Sequence, residues 1–353
     1  MEEKILLIYH KEDNDGLFSA AIIYDYLINS LNVNSKNIDL FPADYNILQE
    51  FNQRTNIEYL QENYNKIIMT DISFDWKVMK QIYLAYNNNF IWCDHHAPII
   101  HLSEVNNFDT INGIRDTHRS AILCVWKYLY DVFDEEYNKK VKSKVPELFR
   151  ILSAWDSFTF KEAGYELDYV RNINKGVTIH YNLDFDKIAD LVHHIVETYL
   201  NDQPSGIFSA LFKDKGIIED MLKYGKQLNE YDDIVMENII ETSGDLEWKL
   251  QFDDEDRGRP LYHKACAIFH QGQTNSLMFK CLTKKHKDIE HGIVFKHQSN
   301  GNWVVSLYNI DENNWVHCGD YLREKYNGGG HKGAAGCTLT EEQFIKILKS
   351  KIL

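Results

Sequence analysis

Residues 90–98 read Phe90-Ile91-Trp92-Cys93-Asp94-His95-His96-Ala97-Pro98, an apolar run of four that ends on an acid and two imidazoles. A short run with no polar alternation suits a strand covered on both faces. Working outward, two earlier stretches repeat the arrangement. Ile5 to Tyr9 ends at His10-Lys11-Glu12-Asp13, and apolar residues at helical spacing follow from Leu17 to Leu31. Ile67-Ile68-Met69 ends at Thr70-Asp71, and a helical pattern follows from Trp76 to Tyr86. Such strands alternating with helices predict a parallel α/β sheet. In an open sheet of that kind ligands bind beyond the carboxyl ends of the strands, which is where the acids and imidazoles that end the three runs would meet.

Each cluster has a plain structural reading beside a chemical one. His10, Asp13 and Asp15 fall within six residues of a buried strand and could fold around a hard or borderline divalent cation. Gly16 would permit the tight turn into the next helix, and Asp15 could equally cap that helix. Asp71 at a strand end, and Asp156 in Ile151-Leu-Ser-Ala-Trp-Asp156, are each compatible with a turn or cap. Adjacent histidines point in different directions, so one of His95 and His96 would join a given metal while the other faces substrate or supports a ligand.

The rest of the chain supplies a second unit. Ser120 to Trp155 and Phe185 to Ile240 are mostly helical in pattern, and Glu241-Thr-Ser-Gly-Asp245 breaks it. Gly292 to Lys296 and Trp303 to Tyr308 then flank Ser299-Asn300-Gly301-Asn302, a strong hairpin signal. A helix near Cys318–Tyr326, a glycine-rich stretch and a C-terminal helix from about Glu341 complete it. The stretch reads Gly328-Gly329-Gly330-His331-Lys332-Gly333-Ala334-Ala335-Gly336.

Taken in order, His10/Asp13/Asp15, Asp71, Asp94-His95-His96 and Asp156 resemble the four motifs of the DHH phosphoesterase superfamily. The glycine-rich stretch resembles the GGGH signature of its DHHA1 branch, which disfavours the DHHA2 branch with its family II pyrophosphatases. The resemblance covers essentially the whole chain. It implies a parallel-sheet DHH domain with flanking helices over residues 1–185, a helical connector over 186–244, and a smaller α/β DHHA1 domain over 245–353, with a cleft between the two domains. It further implies two Mn²⁺ ions, with Mg²⁺ or Co²⁺ as substitutes. His10, Asp13 and Asp71 would hold one, and Asp15, Asp71, His95 and Asp156 the other. Asp94 would orient a neighbouring histidine, and His96 would touch the scissile phosphate or assist the leaving group. Two cations about 3.5–4 Å apart can lower the pKa of a water and clamp both the attacking and leaving oxygens of a phosphodiester. The spacing between the first His and its Asp differs from that of many relatives, so Glu12 competes with Asp13 as a ligand; Asp13-x-Asp15-Gly16 matches the motif.

Backbone N–H groups of Gly328, Gly329 and Gly330 can form an anion-binding nest, with His331 adding a donor. Ser306-Leu307-Tyr308 stands where many DHHA1 proteins carry Ser-Leu-Arg. Tyr308 cannot replace an arginine's charge, but could stack on or hydrogen-bond a nucleoside. Lys280, Lys284, Lys285 and Lys287 form a local basic patch, read either as a solvated loop or as a funnel for an anion. Arg119 is a further phosphate candidate, or a helix-start surface residue.

Composition narrows the partners. The chain carries 53 acidic against 38 basic residues, a formal net charge of −15, which argues against long duplex nucleic acid and anionic membranes. Asp13, Asp15, Asp71 and Asp156 gathered around divalent ions would account for part of that acidity. The six cysteines form no C-x-x-C pair, so neither a zinc knuckle nor a redox motif is signalled. The start, Met1-Glu2-Glu3-Lys4, lacks the basic and apolar regions of a signal peptide, and no stretch approaches the ~20 apolar residues of a membrane span; a cytoplasmic protein is expected. The expected function is Mn²⁺-dependent hydrolysis of very short oligonucleotides (nanoRNA or linear dinucleotides) to mononucleotides. Its rivals are a stand-alone hydrolase of cyclic dinucleotides or of 3′-phosphoadenosine 5′-phosphate, and a catalytically inactive nucleotide sensor. Oligomeric state is not legible.

Overall fold

The computed structural model describes residues 3–44, 57–106, 108, 110–130, 145–180, 215–252, 260–272, 274, 276–279, 281–310, 316–330 and 332–353. The chain divides into two compact units, Met1–Asn229 and Glu230–Leu353.

In the first unit the described elements are β1 (Ile5–His10), α1 (Asn14–Asp25), β2 (Ile38–Ala43), α2 (Ile57–Asn63), β3 (Lys66–Thr70), α3 (Trp76–Tyr86), β4 (Phe90–Cys93), α4 (Ala97–Val105), α5 (Ala121–Tyr130), α6 (Glu147–Asp156) and α7 (Leu167–His180). The strands form a wholly parallel sheet in the order β2-β1-β3-β4, with Ile5 opposite both Ile38 and Lys66, and Ile67 opposite Phe90. Successive side chains of a strand point to opposite faces, and here each face has its own core. Ile5, Leu7, Tyr9, Ile68 and Cys93 pack among residues of α1, α5, α6 and α7, whereas Leu6, Ile8, Ile67, Met69, Phe90 and Trp92 pack among residues of α2, α3 and α4. This double cover explains why these strands carry no polar alternation. The sequence pattern did not reveal β2, because Pro42 and its part-exposed positions belong to an edge strand.

The turn from β1 into α1 is tight. Asp13 caps α1, its Oδ1 accepting from the Gly16 N–H at 2.9 Å, so the capping role considered for Asp15 belongs to Asp13. A Cβ on Gly16 would stand 2.1 Å from the His10 carbonyl oxygen, so this approach requires glycine. A π-helical turn, Tyr26–Ser30, continues α1 and nearly completes the helix expected over Leu17 to Leu31.

Helix α8 (Lys215–Ser243) starts in the first unit and ends in the second, where β5 (Asp245–Phe252), β6 (Leu261–Phe269), α9 (Leu282–Lys285), β7 (His291–His297), β8 (Trp303–Asn309), α10 (Cys318–Tyr326), β9 (Gly329–Gly330), β10 (Ala334–Leu339) and α11 (Glu341–Ser350) follow. Their sheet runs β5-β6-β7-β8-β10-β9, antiparallel except for the β6/β7 pair. Strands β7 and β8 form the expected hairpin, with Gly301 at φ +85° in the turn. The fold is thus α/β, with a parallel sheet flanked by helices and a second, smaller α/β unit. Of the connector expected over 186–244, residues 186–214 lie outside the described residues. Among the described residues no helix is long and apolar enough to cross a membrane.

Candidate metal and active site

The carboxyl ends of three neighbouring strands deliver the polar cluster. His10 closes β1, Asp71 follows β3, and Asp94-His95-His96 follows β4. Asp71 has φ +58°, a left-handed conformation for a buried non-glycine residue. Such positions cost of order 1–3 kcal/mol and gather at functional sites. Its N–H donates to the Cys93 carbonyl at 3.0 Å, which ties the end of β3 to the end of β4.

Two more carboxylates come from helices. Asp15, in the first turn of α1, accepts from the backbone N–H groups of Ala121 at 2.7 Å and Ile122 at 3.0 Å, at the start of α5. A helix N-terminus favours an anion in this way. Asp156 is the last residue of α6. The three carboxylates converge on one imidazole nitrogen: His95 Nε2 lies 3.1 Å from Asp156 Oδ2, 3.3 Å from Asp71 Oδ1 and 3.8 Å from Asp15 Oδ2. Two overlapping sets, Asp71/His95/His96 and Asp15/His95/Asp156, each bring their ligand atoms within 4.8 Å of one another. His10 Nε2 lies 3.5 Å from Asp13 Oδ2 beside them. Glu12 is exposed.

The cluster gathers buried carboxylates whose charges oppose one another. Burial, and then the charges of Asp13, Asp15, Asp156 and Asp94, push the Asp71 carboxyl well above the ordinary carboxylate range. Burial and the Asp15 and Asp13 charges do the same to Asp156, and burial raises Asp15. Burial, and then the His96 charge, lower His95, which favours the neutral imidazole that metals bind. Neither Asp71 oxygen has a hydrogen-bond partner, and nor does Asp156 Oδ2. Orphaned buried carboxylate oxygens facing a neutral imidazole fit a divalent cation of the oxygen- and nitrogen-binding class.

Asp94 has a different part. It is completely buried, and its Oδ1 accepts from the backbone N–H of His95 at 2.7 Å and of His96 at 3.1 Å, and pairs with His96 Nδ1 at 2.7 Å. The Trp92 indole donates to Oδ2 at 3.0 Å. Burial opposes the charged carboxylate, but the His96 ring and these donors hold its pKa below the ordinary value; burial likewise opposes a charged His96, which Asp94 nonetheless raises. The contacts of the Asp94 carboxylate are thus with His96, the His95 N–H and the Trp92 indole.

The substrate candidates fall in both units, Arg119 in the first and the rest in the second. Gly329 and Gly330 form a short strand paired with Gly336 and Ala335, and Gly330 sits at φ +138°. His331 and Lys280 lie outside the described residues. The Arg119 guanidinium pairs with Asp116 in the turn before α5. Lys285 pairs with Glu237 and Glu241 on α8. Tyr308 is buried, its ring 6.2 Å from that of Phe279 and its hydroxyl 2.8 Å from Thr274 Oγ1. That enclosure corrects the expectation of a ring available for base stacking. Three parts of the site went unread in sequence: the Ala121 and Ile122 amides, the Trp92 indole, and Arg115, whose Nη1 donates to the Trp92 carbonyl at 3.1 Å. Only the helical pattern after Ser120 pointed toward the first of these.

Residues 261–352 match the family model of the DHHA1 domain, as the glycine-rich stretch anticipated. No curated protein matches the chain. Among solved structures it is similar to a pGpG-specific phosphodiesterase, PggH, from Vibrio cholerae, at 15% identity and a TM-score of 0.46, covering 99% of this chain and 97% of that one. It is similar to the exonuclease RecJ bound to manganese at 13% identity and a TM-score of 0.46, covering 99% and 89%. An exopolyphosphatase-related protein from Bacteroides fragilis gives 13% identity and a TM-score of 0.40, covering 99% and 91%.

Proposed function

We propose that this chain, whose C-terminal unit carries a DHHA1 domain over residues 261–352, is a metal-dependent phosphodiesterase that hydrolyses very short linear oligonucleotides to mononucleotides. The observation that supports this reading most is the convergence of Asp15, Asp71 and Asp156 on His95 Nε2 at the strand ends. Asp15, Asp71, His95 and Asp156 would hold one divalent ion and His10, Asp13 and Asp71 another, with Mn²⁺ the expected occupant. When bound, such ions supply Lewis acidity toward the phosphate and lower the pKa of a water at neutral pH.

The chain's own residues do the remaining work. Asp71, whose two oxygens have no hydrogen-bond partner, would help to hold the ions, fixed by a backbone conformation it holds even though that conformation costs energy. The Ala121 and Ile122 amides would hold the Asp15 carboxylate in place. Asp94 accepts from His96 Nδ1 and favours the charged ring, so a doubly protonated His96 would give its Nε2 proton to the oxygen that leaves phosphorus and be left as the neutral Nδ1–H form. The Gly328 N–H is committed to the Leu322 carbonyl at 3.0 Å, so a terminal phosphate would approach the backbone at Gly329, where a Cβ would meet nothing within 4 Å. Mass spectrometry of the products from linear pApA, cyclic dinucleotides and 3′-phosphoadenosine 5′-phosphate tests the reading. Conversion of pApA to AMP is expected. Survival of pApA alongside consumption of a cyclic dinucleotide or of the bisphosphate would overturn it.

A further inference from the structure

We infer that Trp92 is a positioning residue for the Asp94–His96 pair, holding the carboxylate in the plane that fixes which nitrogen of His96 carries hydrogen. The kinetic part of this inference rests on the proposed phosphodiesterase reading; the structural part does not.

Residues 92 and 94 lie on the same side of an extended chain, so the indole of Trp92 and the carboxylate of Asp94 stand side by side. The indole nitrogen is a donor with no acceptor capacity, and the carboxylate only accepts. Their 3.0 Å contact therefore engages Oδ2 and turns Oδ1 toward its three donors, His95 N–H, His96 N–H and His96 Nδ1. Since Oδ1 can only accept, Nδ1 carries the hydrogen in the 2.7 Å contact, and the neutral ring then carries its lone pair on Nε2. Without the indole N–H, Oδ2 would be a buried charged oxygen with no donor. The carboxylate would then rotate to find one and release its hold on His96.

The indole itself is clamped. Trp92 is completely buried. The Arg115 guanidinium sits 5.3 Å over its ring, donating to the Trp92 carbonyl at 3.1 Å and the Ile111 carbonyl at 2.8 Å. The Trp92 N–H donates to the Asn112 carbonyl at 2.8 Å. Gly113, at φ +112°, packs so close that a Cβ there would meet the Trp92 carbonyl oxygen at 2.1 Å. Segment 112–115 thus lies along the free edge of β4 through bridges Ile91–Asn112 and Asp94–Arg115, and it fixes the indole from the backbone side.

The test replaces Trp92 by phenylalanine, and separately by 3-benzothienylalanine, which keeps the indole shape without its N–H. Ile82→Ala, fully buried in the same core face, controls for lost packing. One readout is the nitrogen spectrum of ¹⁵N-histidine-labelled, metal-free protein at alkaline pH. The expected parent spectrum has His96 in a single Nδ1–H form, which becomes a mixture in both Trp92 variants and stays single in Ile82→Ala. The second readout is kinetic: kcat falls ~10–100-fold with KM nearly unchanged, the scale of losing a support behind a working group. An unchanged His96 form in the benzothienyl variant overturns the inference, whether or not any nucleotide is turned over. A loss carried by KM, or matched by Ile82→Ala, overturns it as well. Absent turnover in the parent contradicts the functional reading alone, and the nitrogen spectrum still decides the role of Trp92.

Discussion

His95 Nε2 stands 3.1 Å from Asp156 Oδ2, joining the end of strand β4 to the last residue of helix α6. Two groups read separately along the chain become neighbours there, with Asp71 and Asp15 completing the set. Removing part of that set should abolish turnover without unfolding the protein. The double variant Asp94→Ala, His95→Ala is expected to lose ~10³-fold or more in turnover while its circular dichroism spectrum stays that of the parent. Equal activity would show that the strand-end cluster is not the reacting centre.

Asp71 is held where its charge is unfavourable, buried among the charges of Asp13, Asp15, Asp156 and Asp94. Asp71→Asn should therefore raise the melting temperature of metal-free protein and diminish the further rise produced by Mn²⁺. In the parent, saturation at 100 times the dissociation constant should add about 2.7 kcal/mol per site. Differential scanning calorimetry with chelator and with Mn²⁺ checks both. A lowered melting temperature in metal-free Asp71→Asn would contradict the arrangement.

The pH dependence of that same variant has a defined sign. A carboxyl raised in the folded state binds protons that the unfolded chain has released, so its penalty on stability fades as pH falls through the raised pKa. The advantage of Asp71→Asn over the parent, both metal-free, should shrink on acidification from neutral pH. Metal affinity should fall over the same range, because ligands must be deprotonated to bind. Denaturant titrations across pH read the first effect and calorimetric metal titrations the second.

The C-terminal unit should respond to pH in the opposite direction. Burial, and then the neighbouring His263, push His291 down to about 4 from an ordinary value of 6.5. The unfolded chain binds the proton first as pH falls, so stability is complete above pH 6.5 and is lost progressively toward pH 4. The displacement from 6.5 to about 4 corresponds to about 3 kcal/mol. His291→Gln should flatten that slope in acid denaturation curves. An unchanged slope would place the sensitive group elsewhere.

Two glycines separate folding from ligand approach. A Cβ at Gly16 would strike the His10 carbonyl oxygen, whereas one at Gly329 meets nothing within 4 Å. Gly16→Ala should cost about 1–3 kcal/mol or more and disturb His10, as urea unfolding would show. Gly329→Ala should unfold like the parent but raise KM if a phosphate approaches that backbone. Unchanged KM would remove the glycine run from the substrate site.

Much of this was legible before the fold was known. Ile5–Tyr9, Ile67–Met69 and Phe90–Cys93 announce β1, β3 and β4 because strands buried on both faces have no polar positions to alternate. Asn300-Gly301 marks the β7/β8 hairpin because only such residues accept its backbone angles. Edge strand β2 was silent, since a single Pro and half-exposed positions look like loop. The ends of helices hid their roles too. That Asp13 rather than Asp15 caps α1 depends on which carboxylate the N-terminus of α5 claims, a contact between residues more than a hundred positions apart. Tyr308 read as a nucleoside contact because its burial under Phe279 is set by strand pairing and not by local pattern. The link from Trp92 to Asp94 was in plain view as a two-residue spacing, but only the strand geometry makes it a hydrogen bond.

The most direct measurement is the rate of AMP release from linear pApA by purified protein, first with Mn²⁺, then with chelator, then with Mn²⁺ restored. The account predicts complete conversion to AMP that stops on chelation and resumes on restoration, with no release by the Asp94→Ala, His95→Ala variant. Intact pApA in the presence of protein that demonstrably binds Mn²⁺ would contradict it.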